Sequence, residues 1–442
     1  MKLNNSTIML NLGRLRSSLL HHYLFLSVSF ILVVVLFEAT QLYAKPSPLK
    51  YHHDLNYLIS NLDTYHPNPW RRTVKRAFRE RLTRNPEILN SWPVGPLVNI
   101  SRALKSLDPY AQDMATRINL FEQPIIWNLL PVEFGLFEEG VFITAAPEQN
   151  KSLIGLQVLR INNTEVETII KKLAGYFPKR DAVLIPDYLR ITEILRYLGA
   201  SNRGKWQIEL LDSINESSDS VRFDIDKQNI LRSELKDRSK SINLSHYQNF
   251  RLDQQQKNVI LTTPNSLMWV LSGQSIRSTL RFNKQLRMIE AQLRNQAVIY
   301  FVLDLRDIQS ADPKLLNRLW TIVQNIPREN PNRKVYAVVD RSTGEVVYGL
   351  LSKMASMPEL TMVGEPLGVA LSHFTAGKSI QLPRTGIRVT VASHYQKYLL
   401  ESNKTGPFKP SVVQQWTAED YFSGEDSIIN AVLGLIEIDQ FD

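Results

Sequence analysis

From residue 51 to about 120 the apolar positions recur with helical spacing. "HHDLNYLISNLDTYHPNPW" (52–70) predicts an amphipathic helix stopped at His66-Pro67-Asn68-Pro69, because proline removes a donor and disfavours a helical residue before it. "RRTVKRAFRERLTR" (Arg71 to Arg84) predicts a second helix, with Val74, Ala77, Phe78 and Leu82 on one face and the arginines on a solvated one. Near residue 125 the period shortens to two. "LPVEFGLFEEGVFITAAP" alternates at Val132, Phe134 and Leu136, turns at Glu138-Glu139-Gly140 and resumes at Val141 and Ile143, which is a hairpin pattern. "LIGLQVLRINNTEVETIIKKL" follows as a strand, an Asn162-Asn163 turn and a short helix from about Thr164. The stretch from Ser213 to Ser245 is polar and marks a boundary.

From about 258 to 436 the pattern changes again. "AVIYFVLDLRD" is a continuous apolar run ending in charge, as a strand buried on both faces reads. "PKLLNRLWTIVQNI" predicts a helix, "RKVYAVVDRST" a second buried strand, "EVVYGLLSKMASM" a second helix and "ELTMVGEP" a third strand. That order implies right-handed crossovers and a parallel sheet, with any site at the carboxyl ends of the strands: Asp304 to Ser310, Asp340 to Glu345 and Gly364 to His373. The junction "VVDRSTGEVVYGLLSKMA" (338–355) is the one to examine for a nucleophile, since a strand-turn-helix lifts a hydroxyl out of the backbone beside a helix amino terminus. Ser342 and Thr343 lie in its turn, and Glu345 takes the first helical position.

Length and composition narrow the chemistry. A chain of 442 residues, 43% hydrophobic and 21% charged, can bury a large core and fits two or three domains. It has no cysteine, which excludes disulfides, thiolate catalysis and cysteine-ligated zinc. His52, His53 and His66 share a segment with Asp54 but match no metal-ligand spacing, so they read as surface and helix-end residues, and neither metal nor cofactor is implied. Asn99, Asn162, Asn215, Asn243 and Asn403 open glycosylation tripeptides.

Residues 1–44 read as a targeting segment. Basic residues precede an uncharged run of 15, "YLFLSVSFILVVVLF" (Tyr23 to Phe37), shorter than a spanning helix of about 20. Cleavage after Ala44 and retention as a signal anchor both fit, and both place the body outside the cytoplasm. Removing this segment takes away Lys2, Arg14, Arg16 and Glu38, which brings the net charge from +9 to +7. No recognition motif accompanies the basic residues, so nucleic-acid binding is not expected; membrane association through the amino terminus is.

"LDLRD", "VYAVVDRST", "VGEPLG", "LSHF", "IQLPRTGIRVTVASHY" and the terminal "TAEDYFSGEDSIINAVL", in this order, resemble the tail-specific, or C-terminal processing, serine peptidases, most of all their tricorn-related branch. The resemblance reaches upstream through "HPNPW", "LIGLQVLRINNTEVETI" and "SLMWVLSGQSIRSTLRFN". It implies an α+β multidomain fold: a helical amino-terminal region (45–124), a PDZ-like β-rich module with a polar loop (125–250), and a crotonase/ClpP-like α/β core with a largely parallel sheet (251–442). It also implies peptide or unfolded protein segments as ligands.

The family's turn has a threonine, one intervening residue and then the nucleophilic serine. Aligned on Thr343 and Gly344, that serine falls on Glu345, and a carboxylate is a poor nucleophile toward an amide because it would form a reactive anhydride. Where the family has a Gly-Gly pair at its oxyanion hole, this chain has Ser310-Ala311, and Ala370 stands at the position of a lysine base. The remaining candidates for hydrolysis are the Ser342 or Thr343 hydroxyl, with His373 of "LSHF" as base. The expectation is an exported, catalytically inactive peptidase homologue that binds peptide; an active peptidase with a relocated nucleophile and a non-enzymatic assembly subunit are the alternatives.

Overall fold

The computed structural model describes residues 45–441 apart from 201–204, 213–216, 225–235, 238–250, 253–259, 263–264, 272–274, 278, 295, 309 and 399–405. Residues 1–44, which the sequence pattern reads as a targeting segment, most of the polar stretch and Asn215, Asn243 and Asn403 lie outside the described residues. Among the described residues no helix is long and apolar enough to cross a membrane.

Three helices open the fold: α1 (Pro48–Tyr65), α2 (Lys75–Thr83) and α3 (Val94–Lys105). The Ser47 hydroxyl caps α1, whose Leu55, Leu58, Ile59 and Leu62 are buried at helical spacing. An antiparallel sheet follows, in the order β1 (Glu133–Phe137), β2 (Gly140–Ala146), β3 (Gln157–Ile161), β4 (Lys205–Asp212) and β5 (Ser217–Asp224), with α4 (Val166–Tyr176) packed on it. The hairpin turn falls where the pattern put it, with Gly140 at φ +135°, and Asn162 takes the left-handed conformation (φ 44°) after β3. The helices and this sheet share one core, running from Tyr51 to Phe223.

The second sheet runs β12 (Val412–Val413), β9 (Leu360–Gly364), β8 (Lys334–Val339), β7 (Tyr300–Asp304) and β6 (Ser266–Val270), all parallel, and continues through antiparallel Ile260–Thr262 and Arg251–Leu252. Its strands read as unbroken apolar runs because both faces are covered. Trp269, Leu303, Ala337 and Met362 face α5 (Leu280–Leu293), α6 (Pro313–Glu329) and α7 (Tyr348–Met354). Met268, Val302, Val338 and Val363 face α9 (Ser427–Phe441). A short helix, α8 (Ala418–Ser423), precedes α9. Gly364 is obligatory at the end of β9: its φ is +134°, and an added Cβ would lie 1.8 Å from the Val339 carbonyl oxygen.

The hairpin β10 (His373–Gln381) and β11 (Arg388–Gln396) leaves the parallel sheet and joins the first core through Ile380, Leu382, Ile387, Val389 and Val391. Buried Asp54 of α1 accepts the Arg384 and Thr385 N–H groups at its turn, at 2.9 and 2.7 Å.

Four local expectations change. Val74 does not join the apolar face of α2; it precedes the helix and is 67% exposed. Arg71 is not on a solvated face: it is bonded to Gln112 (2.9 Å) and Asp108 (3.0 Å), and its guanidinium lies 4.4 Å from the Phe374 ring centroid. His66 caps the carboxyl end of α1, as expected, but it is buried, with Nε2 3.0 Å from Asp113 and Nδ1 accepting the Asn68 N–H. Asn162 is also buried, its side chain bonded to the Gln207 N–H, so the folded chain offers no acceptor there.

Candidate functional site

The carboxyl ends of β7, β8 and β9 converge as the parallel topology requires. Ile308 of the loop after β7 lies against the Ser-Thr-Gly turn after β8: a Cβ on Gly344 would meet the Ile308 carbonyl oxygen at 2.9 Å. Glycine is therefore needed for the two segments to touch.

The turn spends its hydroxyls on itself. Asp340 Oδ1 accepts both the Ser342 N–H (2.9 Å) and the Ser342 hydroxyl (2.6 Å), and Thr343 Oγ1 accepts the Asp340 N–H at 2.9 Å. This is an aspartate-closed turn, in which a side-chain oxygen replaces a backbone acceptor. Burial pushes the Asp340 carboxyl above the usual range, a tendency that the Arg306 charge and the Ser342 hydroxyl oppose.

Glu345 opens a single 3₁₀ turn (Glu345–Val347) that leads into α7. Its Oε2 accepts the Thr375 hydroxyl at 2.7 Å and faces His373 Nε2 at 3.4 Å. His373 is 1% exposed, and its Nδ1 lies 2.6 Å from the Leu371 carbonyl oxygen. That nitrogen can only donate to a carbonyl, so the second nitrogen is the one turned to the carboxylate. Tyr348 packs edge-on against the imidazole, with centroids 5.3 Å apart, and Tyr398 lies behind it. Burial, reinforced by the Glu345 charge, pushes both phenols above their ordinary range.

The other positions singled out by the resemblance are occupied by packed backbone. Ser310-Ala311 forms a two-residue parallel ladder with Ser275–Ile276, and neither residue has positive φ. Among the described residues of this loop, the left-handed one is Asp307, at φ 46°. Ala370 is buried and its N–H donates to the Ala111 carbonyl at 2.8 Å, so the position of the lysine base is filled by packing against the amino-terminal region.

What holds the strand ends is a charge network that sequence reasoning missed. Arg306 donates to Asp304 through Nε (2.9 Å) and Nη2 (2.7 Å), and to Asp426 through Nη1 (3.1 Å) and Nη2 (2.7 Å). All three residues are buried. Burial works against the guanidinium charge, but the two carboxylates outweigh it and hold the group well above its ordinary range. Asp426 also caps α9 by accepting the Ile428 and Ile429 N–H groups at 3.1 Å. Arg341 pairs in the same fork geometry with buried Glu365 beyond β9. The available signal was charge inside apolar runs, at "LDLRD", "VVDRS" and "VGEP", which folded chains leave buried only when paired.

No family model and no curated protein matches the sequence. Solved structures do. Mature CPAF complexed with lactacystin superposes with a TM-score of 0.58 at 10% identity, over 89% of this chain and 99% of that one. This chain has the CPAF fold. A second structure of mature CPAF agrees, at a TM-score of 0.52 and 9% identity over 84% and 94% of the two chains. The photosystem II D1 C-terminal processing protease superposes more loosely, with a TM-score of 0.36 at 13% identity over 84% and 94%. The α+β architecture with a parallel sheet that the motifs led us to expect is the one found. Identities this low speak to fold; the chemistry rests on the residues of this chain.

Proposed function

We propose that this chain is an exported peptidase-fold protein that binds extended peptide or unfolded protein segments without cleaving them. One observation carries the reading: the residue at the head of the turn after β8 is a carboxylate, anchored by Thr375 and faced by buried His373. Among the described residues, neither His373 nor His66 is bonded to a hydroxyl. The ring nitrogens of the first meet Leu371 and Glu345, and those of the second meet Asn68 and Asp113. Ser342 and Thr343 are committed to Asp340. A nucleophile needs a base within hydrogen-bond reach, and these hydroxyls have a turn-closing aspartate instead of an imidazole.

For binding, the β-rich module offers β5, which ends the antiparallel sheet and pairs with β4 alone among the described strands. An extended segment can add to such an edge through backbone hydrogen bonds. The purified full chain, incubated with a diverse peptide library, should retain ligands with Kd of about 1 μM or better, roughly −8 kcal/mol, and mass spectrometry should recover them intact. Cleaved peptides would overturn the inactive reading, and an absence of ligands would overturn the binding one in favour of an assembly subunit.

A further inference from the structure

The chain enters the described structure beside a patch of positive charge. Lys45 donates from Nζ to Asn90 at 2.9 Å, and α1 begins three residues later. α2 runs back along α1. Its first turn is tied to the end of α1 by the Lys75–Asp63 ion pair. Its last turn is tied to the start of α1 through Asn99, whose amide donates to the Leu82 carbonyl (2.8 Å) and the Tyr51 hydroxyl (3.3 Å). The antiparallel arrangement gathers Lys45, Lys50, Arg81 and Arg84 at one end of the helix pair, all exposed, with Leu49 80% exposed among them. The exposed acidic groups close by in sequence are Glu80, which pairs with Arg76, and Glu87, while Asp54, one turn after Lys50, is buried.

The apolar run Tyr23–Phe37 ends eight residues before Lys45. At ~3.5 Å per residue, a fully extended connection of that length spans about 30 Å at most. Any lipid in which the run lodges therefore lies within reach of this patch.

We propose that this end of the helix pair docks on an anionic phospholipid surface, with Lys45, Lys50, Arg81 and Arg84 meeting headgroup phosphates and Leu49 at the headgroup–acyl boundary. Lipid is favoured over other polyanions by the exposed leucine amid the cations and by the apolar run just upstream. Basic residues at such a surface each contribute about fivefold in affinity, falling off within a Debye length.

The test is sedimentation of the protein, as recovered from its host, with vesicles of phosphatidylcholine alone or with about one-third phosphatidylglycerol. Insertion of the apolar run is common to both vesicles and cancels in their ratio. The ratio should favour the anionic vesicles and collapse between about 0.05 and 0.5 M salt. The triple variant Lys50→Gln, Arg81→Gln, Arg84→Gln should lower it by about a hundredfold. A control triple on α5 and its carboxyl-terminal cap, Lys284→Gln, Arg287→Gln, Arg294→Gln, removes the same charge from other exposed positions and should leave it unchanged. Equal partition to both vesicles, or equal losses in the two triples, would overturn the proposal. Tighter binding to random-sequence duplex DNA than to anionic vesicles would overturn it in favour of a nucleic-acid surface.

Discussion

Replacing Arg306 by methionine isolates the network that fixes the strand ends. The substitution keeps much of the side-chain volume and deletes four charge-assisted bonds of 2.7–3.1 Å, leaving Asp304 and Asp426 buried and unpaired. Removing one partner of a buried ion pair costs about 3–5 kcal/mol, and two stranded carboxylates put this case at about 5. That is a large share of the 5–15 kcal/mol typical of a folded domain. Urea unfolding followed by tryptophan fluorescence suits the assay, because Trp416 lies 5.7 Å from the Arg306 guanidinium and Trp269 sits in the adjoining core. The triple variant Asp304→Asn, Arg306→Met, Asp426→Asn buries no net charge and keeps the α9 cap, so it should recover to within about 2 kcal/mol of wild type. A loss below about 1 kcal/mol for Arg306→Met, or a triple variant no more stable than the single one, would refute the reasoning.

Other consequences can be checked alongside. Burial raises the Tyr51 phenol from 10.0 to about 12, so the stability it contributes is complete below pH 10 and lost as pH rises toward 12; wild type should lose about 2–3 kcal/mol more than Tyr51→Phe over that interval in alkaline unfolding. Gly364→Ala combines a positive φ with a Cβ 1.8 Å from the Val339 carbonyl and should cost at least 3 kcal/mol, roughly, read as a lowered thermal midpoint. Thr375→Val removes the hydroxyl that anchors Glu345 and should cost about 1 kcal/mol, while Glu345→Gln, which keeps an acceptor for it, should cost less.

The parts of the fold with a local physical signature were legible. Unbroken apolar runs gave the parallel strands because both of their faces are covered, and Asp312-Pro313 opens α6 with a side-chain cap at 2.9 Å and a proline where no donor is needed. The Thr-Gly-Glu junction also reads directly, since a helix start after a buried strand is written in consecutive residues. What did not read were long-range partners. Asp54 meets a turn 330 residues away, and Arg306 meets Asp426 across 120 residues; local pattern shows such charges in apolar surroundings but cannot name what neutralises them. His66 was read as a surface and helix-end residue for the same reason, because its burial depends on Asp113 and on Phe374 of the distant hairpin. Ser310-Ala311 was legible as a departure from Gly-Gly, but its pairing with Ser275–Ile276 was not.

The central claim is that the junction after β8 keeps its architecture without a nucleophile, and covalent labelling tests it most directly. A fluorophosphonate probe should leave the purified protein unmodified, with wild type, Ser342→Ala and Thr343→Ala indistinguishable. Labelling of wild type that disappears in either variant would contradict the account and make a hydroxyl of the turn the nucleophile.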